Sequence, residues 1–196
     1  MLAPVLDWLL TRPEVQPDAL VLIGRSFGGY LAPRAACFEH RLAAMACDPA
    51  QPDMGARLPA GLAGRIAAPA VKAQIRMSAG RAEFFGARMA AHGIDTIEKY
   101  FTELRRFTML QYAPQITCPT LIIEAEHDFA GGGGQMLTDA LTAPAQLVQL
   151  TGHQGADGHC AGLGQEIWSG AVYSWLRSTL PHTPTAVTGK EKEHDH

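Results

Sequence analysis

The chain has 196 residues, 47% of them hydrophobic, enough for one domain with a real core. With a net charge of -3 and 18% charged residues, no overall field favours nucleic acid or an anionic membrane. No apolar run approaches the roughly 20 residues of a membrane span, and no cationic N-terminal segment resembles a secretory signal. Cys37, Cys47, Cys118 and Cys160 are widely spaced with no CxxC pair, which argues against a zinc ribbon and fits free thiols in a reducing compartment. The expectation is a cytoplasmic protein with a small-molecule substrate, binding neither nucleic acid nor membrane.

In chain order, Val5, Leu6, Leu9 and Leu10 recur at helical spacing over 3–11, and Pro13 stops them. Pro17-Asp18 makes a turn. The continuously apolar run 19–23 then reads as a strand covered on both faces, as in a parallel sheet. "GGYLAPRAACFEHR" predicts a helix over 28–39, and "LAAMACD" (42–48) a second buried strand ending in Asp48. A stretch spotted with proline and glycine follows over 49–70, and helices are expected from there to about 113. Residues 61–113 carry eight Lys and Arg against four Asp and Glu, so this segment is locally basic. "CPTLIIEAEHD" (118–128) is the third strand, 134–142 a helix and "AQLVQL" (145–150) the fourth strand. After the loop "TGHQGADGH", an amphipathic helix spans 165–180; the polar tail 181–196 is expected to be disordered. Strands alternating with helices make a parallel α/β sheet.

The sequence "GRSFG" (24–28) matches G-x-S-x-G between a predicted strand and a predicted helix. A nucleophile elbow forces its serine into a strained conformation, and side chains beside it would strike the adjacent strand and helix. On that reading Gly24, Gly28 and Gly29 flank Ser26, with Arg25 inside the elbow. The elbow aims the backbone N–H of Phe27 at a developing oxyanion, and the helix N-terminus adds partial positive charge.

A serine hydroxyl needs a base to take its proton and a carboxylate to orient that base. Asp128 stands at the C-terminal end of the third strand, and His159 in the loop before the last helix. Asp48 is an alternative acid and His153 an alternative base; Glu126 would line the site. His127 neighbours the acid and is poorly placed to serve it. His153, Asp157 and His159 could suggest a metal, but no further ligand group has matching spacing, so neither metal nor cofactor is expected. Cys160 reads as a packed loop thiol.

"GRSFGGYLAPRAA", "CPTLIIEAEHD" and "GADGHC" together resemble the α/β-hydrolase superfamily, over about residues 1–180. Within it the sequence is most similar to the fermentation-respiration-switch-like esterase and 2,6-dihydroxypseudooxynicotine hydrolase group, with an elbow like that of prolyl oligopeptidases. The resemblance implies a hydrolase core with a helical lid. It also implies a catalytic histidine in a Gly-Ala-x-x-His-Cys segment, here Gly155, Ala156, His159 and Cys160. The reaction it implies is hydrolysis of an ester or of an activated carbon–carbon bond next to a carbonyl.

The expected organisation is 1–48 as the elbow half of the core, 49–113 as a lid insertion and 114–180 as the C-terminal part of the core. The match at Asp128 departs from the family, because "FAGGGG" replaces a proline-containing turn. The family core also has strands before the elbow strand, and an early loop that supplies a second oxyanion N–H. Here one helix precedes strand 19–23, and no HGG-like segment lies upstream of Ser26. The expectation is therefore a partial α/β-hydrolase fold whose first strand is an edge. A missing N-terminal segment or a homo-oligomer would complete its sheet. The competing reading is a truncated, catalytically weak or inactive hydrolase fragment that serves as a binding or association module.

Overall fold

In the computed structural model, which describes residues 2–56, 58 and 61–181, four parallel strands form one sheet in the order β1-β2-β3-β4. The strands are β1 (Val21–Arg25), β2 (Ala44–Asp48), β3 (Thr120–Ala125) and β4 (Ala145–Leu150). Helices α1 (Ala3–Leu9) and α2 (Gly28–Ala36) bracket β1, and α3 (Gly61–Met77), α4 (Ala79–Ala91) and α5 (Ile97–Leu104) connect β2 to β3. Helix α6 (Gly134–Ala140) joins β3 to β4, and α7 (Gln165–Thr179) is the last element among the described residues. The tail expected to be disordered lies, beyond Pro181, outside the described residues.

Strand periodicity explains how the sheet is covered. Neighbouring residues on a strand face opposite sides. Met45, Cys47 and Ile122 therefore point into one core with Leu6, Tyr30, Ala32, Ala36 and Leu137 from α1, α2 and α6. Ala46, Leu121, Ile123 and Ala125 point the other way, into a second core with Trp168 and Val172 of α7. Strands β2 and β3 are buried along their whole length, as their unbroken apolar runs imply.

The first strand differs from expectation. Pro17–Ala19 is taken up by a 3₁₀ turn, so β1 starts at Val21 and runs on to Arg25, which pairs with Asp48. It is an edge among the described residues, and Ile23 is 39% exposed. Strand β3 also ends early, at Ala125, because His127 takes a left-handed turn at φ 58° and carries Asp128 off the sheet.

Helices α3–α5 bury a core of their own, in which Ile97, Tyr100 and Leu104 pack with Val71, Ile75, Phe85 and Met89. Ser78 caps α4 through the Arg81 N–H and Thr96 caps α5 through the Lys99 N–H. Lys72 pairs with Glu98 at 2.6 Å, tying α3 to α5. The helices expected to reach 113 end at Leu104, followed by a 3₁₀ segment over Leu110–Gln115.

Candidate active site

Ser26 lies in the turn from β1 into α2 with φ 56°, a left-handed conformation that is uncommon for a residue with a side chain. Close packing around the turn fixes it. A Cβ on Gly24 would fall 2.1 Å from the Gly28 carbonyl oxygen, and one on Gly29 would fall 1.8 Å from that of Pro49. Gly28 departs from expectation: apart from its chain neighbours and its own helix backbone, no atom lies within 4 Å of where its Cβ would be. The steric demand therefore falls on Gly24 and Gly29, not on the second glycine of the motif. The turn is further held by the Ser26 N–H donating to the Asp48 carbonyl at 2.8 Å, and by Gln51 Nε2 donating to the Ser26 carbonyl at 2.6 Å. Phe27 occupies the N-cap position of α2 without a side-chain capping bond, and the leading N–H groups there have no acceptor within the helix.

Ser26 Oγ and His159 Nε2 are 2.7 Å apart, and His159 Nδ1 is 2.8 Å from Asp128 Oδ1. Three residues far apart in sequence thus form one hydrogen-bonded line at the C-terminal edge of the sheet. The Asp128 side chain is buried, and its oxygens also accept the Cys160 N–H at 2.9 Å and the Ala130 N–H at 2.8 Å. With Asp128 accepting from Nδ1–H, Nε2 presents its lone pair to the serine hydroxyl.

Strained backbone also presents the histidine. Gly158, Cys160 and Ala161 all have positive φ, and the Gly158 N–H donates to the Glu126 carbonyl at 2.9 Å. Phe129 covers the imidazole with ring centroids 4.5 Å apart.

Other candidates do different things. Asp48 makes no hydrogen bond to His159 among the described residues. It is buried at the end of β2, and its carboxyl is pushed up to about 6 by burial, with the Arg25 charge opposing. His153 is exposed in a 3₁₀ turn. Glu126, expected to line the site, instead accepts the Gly152 N–H at 2.7 Å, and His127 Nδ1 meets Asp157 Oδ1 at 3.1 Å. Buried Glu124 accepts the N–H groups of Gly132 and Gly134, which organises the glycine run after Asp128. A Cβ on Gly133 would come 2.5 Å from the Ala50 carbonyl, so this run needs glycine to pass.

Metal-ligating atoms of Asp128, His159 and Cys160 lie within 4.8 Å of one another. Both Asp128 oxygens are already engaged there, and the Cys160 thiol is pushed up to about 11, chiefly by burial, which disfavours the thiolate a metal would need. All four cysteines are buried and free.

Sequence reasoning placed Arg25 in the elbow without giving it a partner, and it missed two supporting residues. Arg25 reaches out of the elbow strand to the Cys160 carbonyl at 2.5 Å and Gln165 Oε1 at 2.8 Å, and lies over the Trp168 ring. It ties the serine turn to the histidine loop. Gln51 and Phe129 are the two missed residues, and only their spatial position reveals them. A cavity of about 680 Å³ opens beside Ser26 and His159, walled largely by apolar side chains of α3–α5 with Phe27, Met54 and Phe129. Among the described residues no helix is long and apolar enough to cross a membrane.

Solved structures share this arrangement of strands and helices. The α/β hydrolase GrgF from Penicillium sp. sh18 superposes with a TM-score of 0.60 at 18% identity, covering 91% of this chain and 70% of that one. The fold is that of the α/β hydrolases. A 2,6-dihydroxy-pseudo-oxynicotine hydrolase matches with a TM-score of 0.65 at 23% identity over 91% of this chain, and acetyl xylan esterase from Paenibacillus sp. R4 with 0.57 at 18% over 90%. This chain spans 45% and 50% of the lengths of those two α/β-hydrolase structures, so the fold here is partial. No protein-family model matches the sequence, and no curated protein is significantly similar to it.

Proposed function

We propose that the chain is a serine hydrolase acting on an ester, or on an activated carbon–carbon bond next to a carbonyl, through an acyl-enzyme. Ser26 is the nucleophile, His159 the general base and then acid, and Asp128 the group that orients the imidazole. The observation that carries this reading is the continuous line from Ser26 Oγ through His159 to Asp128, at 2.7 and 2.8 Å. As Oγ attacks the carbonyl carbon, Nε2 takes its proton and Asp128 stabilises the imidazolium. The tetrahedral oxyanion meets the Phe27 N–H and the positive end of α2. Collapse expels the leaving group, which takes the proton from His159; water then attacks the acyl carbon by the same route in reverse.

Residues 49–113 act as a lid. Their helices line the cavity beside the nucleophile, in keeping with a small-molecule substrate shielded from water. Phe27 is the one oxyanion donor assigned, and lack of a second costs about 10²–10³ in turnover.

The test is hydrolysis of para-nitrophenyl acetate together with labelling by a fluorophosphonate. The parent chain is expected to turn over the ester and to be labelled at Ser26. Ser26→Ala should lose both while keeping its circular dichroism spectrum. Equal rates for parent and variant would remove the assignment.

A second reading, association through the sheet, is favoured by the open edge of β1 with its exposed Ile23. On this reading a second copy, or strands of a longer polypeptide, extend the sheet past β1.

A further inference from the structure

The cavity beside Ser26 has mostly apolar walls, yet α4 contributes Arg81 and Arg88 to its lining. Their surroundings differ. Arg81 is exposed and donates to Gln74 Oε1. Arg88 is half-buried and pairs with no carboxylate among the described residues; Nη1 donates to the Phe84 carbonyl at 3.1 Å. A guanidinium carries five N–H donors, so most of those on Arg88 remain available. The cavity's own acid, Asp53, accepts the Ala56 N–H and forms no ion pair with Arg88. Burial pushes the neighbouring Tyr100 phenol up and the Arg88 charge opposes it, so that charge is felt inside the cavity wall.

Aromatic rings relate this cation to the reacting centre. The Arg88 guanidinium lies 3.4 Å from the centre of the Phe84 ring. Phe84 meets Phe129 edge-on at 5.9 Å, and Phe129 lies 4.5 Å from the imidazole of His159. Two aromatic rings therefore separate the cation from the general base. A half-buried charge without a counter-ion, set in an apolar wall, interacts strongly with any anion that enters, because little water screens the pair. The fork of N–H groups matches a carboxylate better than any neutral oxygen.

We propose that Arg88 anchors a carboxylate on the substrate, so that this cavity takes an elongated, otherwise apolar molecule carrying one carboxylate at the end remote from Ser26. The inference deepens the hydrolase reading by naming its substrate class, and it rests on that reading only for what happens to the bound molecule.

Binding tests it without turnover. Titration calorimetry on the full chain compares phenylhexanoate with its uncharged amide at neutral pH. The carboxylate is expected to bind at least tenfold more tightly. Arg88→Gln should bring the two to within about twofold, and Arg88→Lys should retain part of the preference. Equal binding of acid and amide to the parent, binding of neither, or a preference unaltered in Arg88→Gln would each overturn the proposal. If the preference depends on Arg88 while no ester is hydrolysed, the anion site stands and the hydrolase reading fails.

Discussion

Arg25 and Asp48 are register partners on adjacent strands, and Arg25 Nε stands 4.0 Å from Asp48 Oδ2. Asp48 is buried while the Arg25 side chain is 36% exposed, and the pair is loosely made. Neither Asp48 oxygen, nor Arg25 Nε, nor Trp168 Nε1 has a hydrogen-bond partner among the described residues. A carboxylate held this way is costly to ionise, which is why burial lifts Asp48 from 3.8 to about 6 despite the nearby guanidinium.

The pH dependence follows in sign. Between about pH 3.8 and 6 the folded state holds a proton that the unfolded chain has released, so stability falls as pH rises through that window. The loss is on the order of 2–3 kcal/mol. Asp48→Asn lacks this loss, so urea unfolding at pH 4 and pH 7 should show the variant gaining that much on the parent. Parallel pH curves for the two chains would refute the assignment.

The glycines of the elbow separate by position. Gly29→Ala puts a Cβ 1.8 Å from the Pro49 carbonyl, against backbone that has little room to yield. It should cost about 3 kcal/mol or more, at or beyond the upper end for overpacking. Gly28→Ala meets nothing and lies in the first turn of α2, so it should be neutral or stabilising by up to about 1 kcal/mol. Thermal unfolding of both variants checks the contrast, and similar losses in the two would contradict it.

Asp128→Asn should keep the fold and reduce kcat by up to about 10⁴-fold. An amide can donate to Nδ1 and so favour the tautomer whose Nε2 cannot take the serine proton. Ester turnover at saturating substrate reads this, and a loss below tenfold would transfer the orienting role elsewhere.

Phe129 is 64% exposed although it covers His159. Its truncation to alanine should therefore shift the unfolding free energy by no more than about 1 kcal/mol. Ester kcat/KM should fall about tenfold, since the imidazole loses its cover and the cavity a wall. Unchanged kinetics would make Phe129 a bystander.

If β1 pairs with another strand, a charge on its exposed side should prevent it. Ile23→Lys is expected to shift the parent chain from an associated species to a monomer in sedimentation velocity. A parent that is already monomeric, with fast amide exchange over residues 21–25, would argue against association.

Local chemistry made much of this molecule legible in sequence. Unbroken apolar runs marked β2 and β3 because both faces of those strands are covered, and the glycines around Ser26 marked the turn out of β1. Boundaries were less legible: Pro17–Ala19 went to a 3₁₀ turn and β3 stopped short of Asp128, since pairing partners rather than propensity set where strands end. The choice between Asp48 and Asp128 as partner of His159 was likewise not local. Both follow strands, but the left-handed turn at His127 swings Asp128 up to the imidazole while Asp48 stays buried beneath, beside Arg25. Gln51, Phe129 and Arg88 carried no motif at all, and the motif around Arg25 assigns its side chain no partner. Their roles depend on side chains from distant segments arriving at one place, and only packing in three dimensions specifies that.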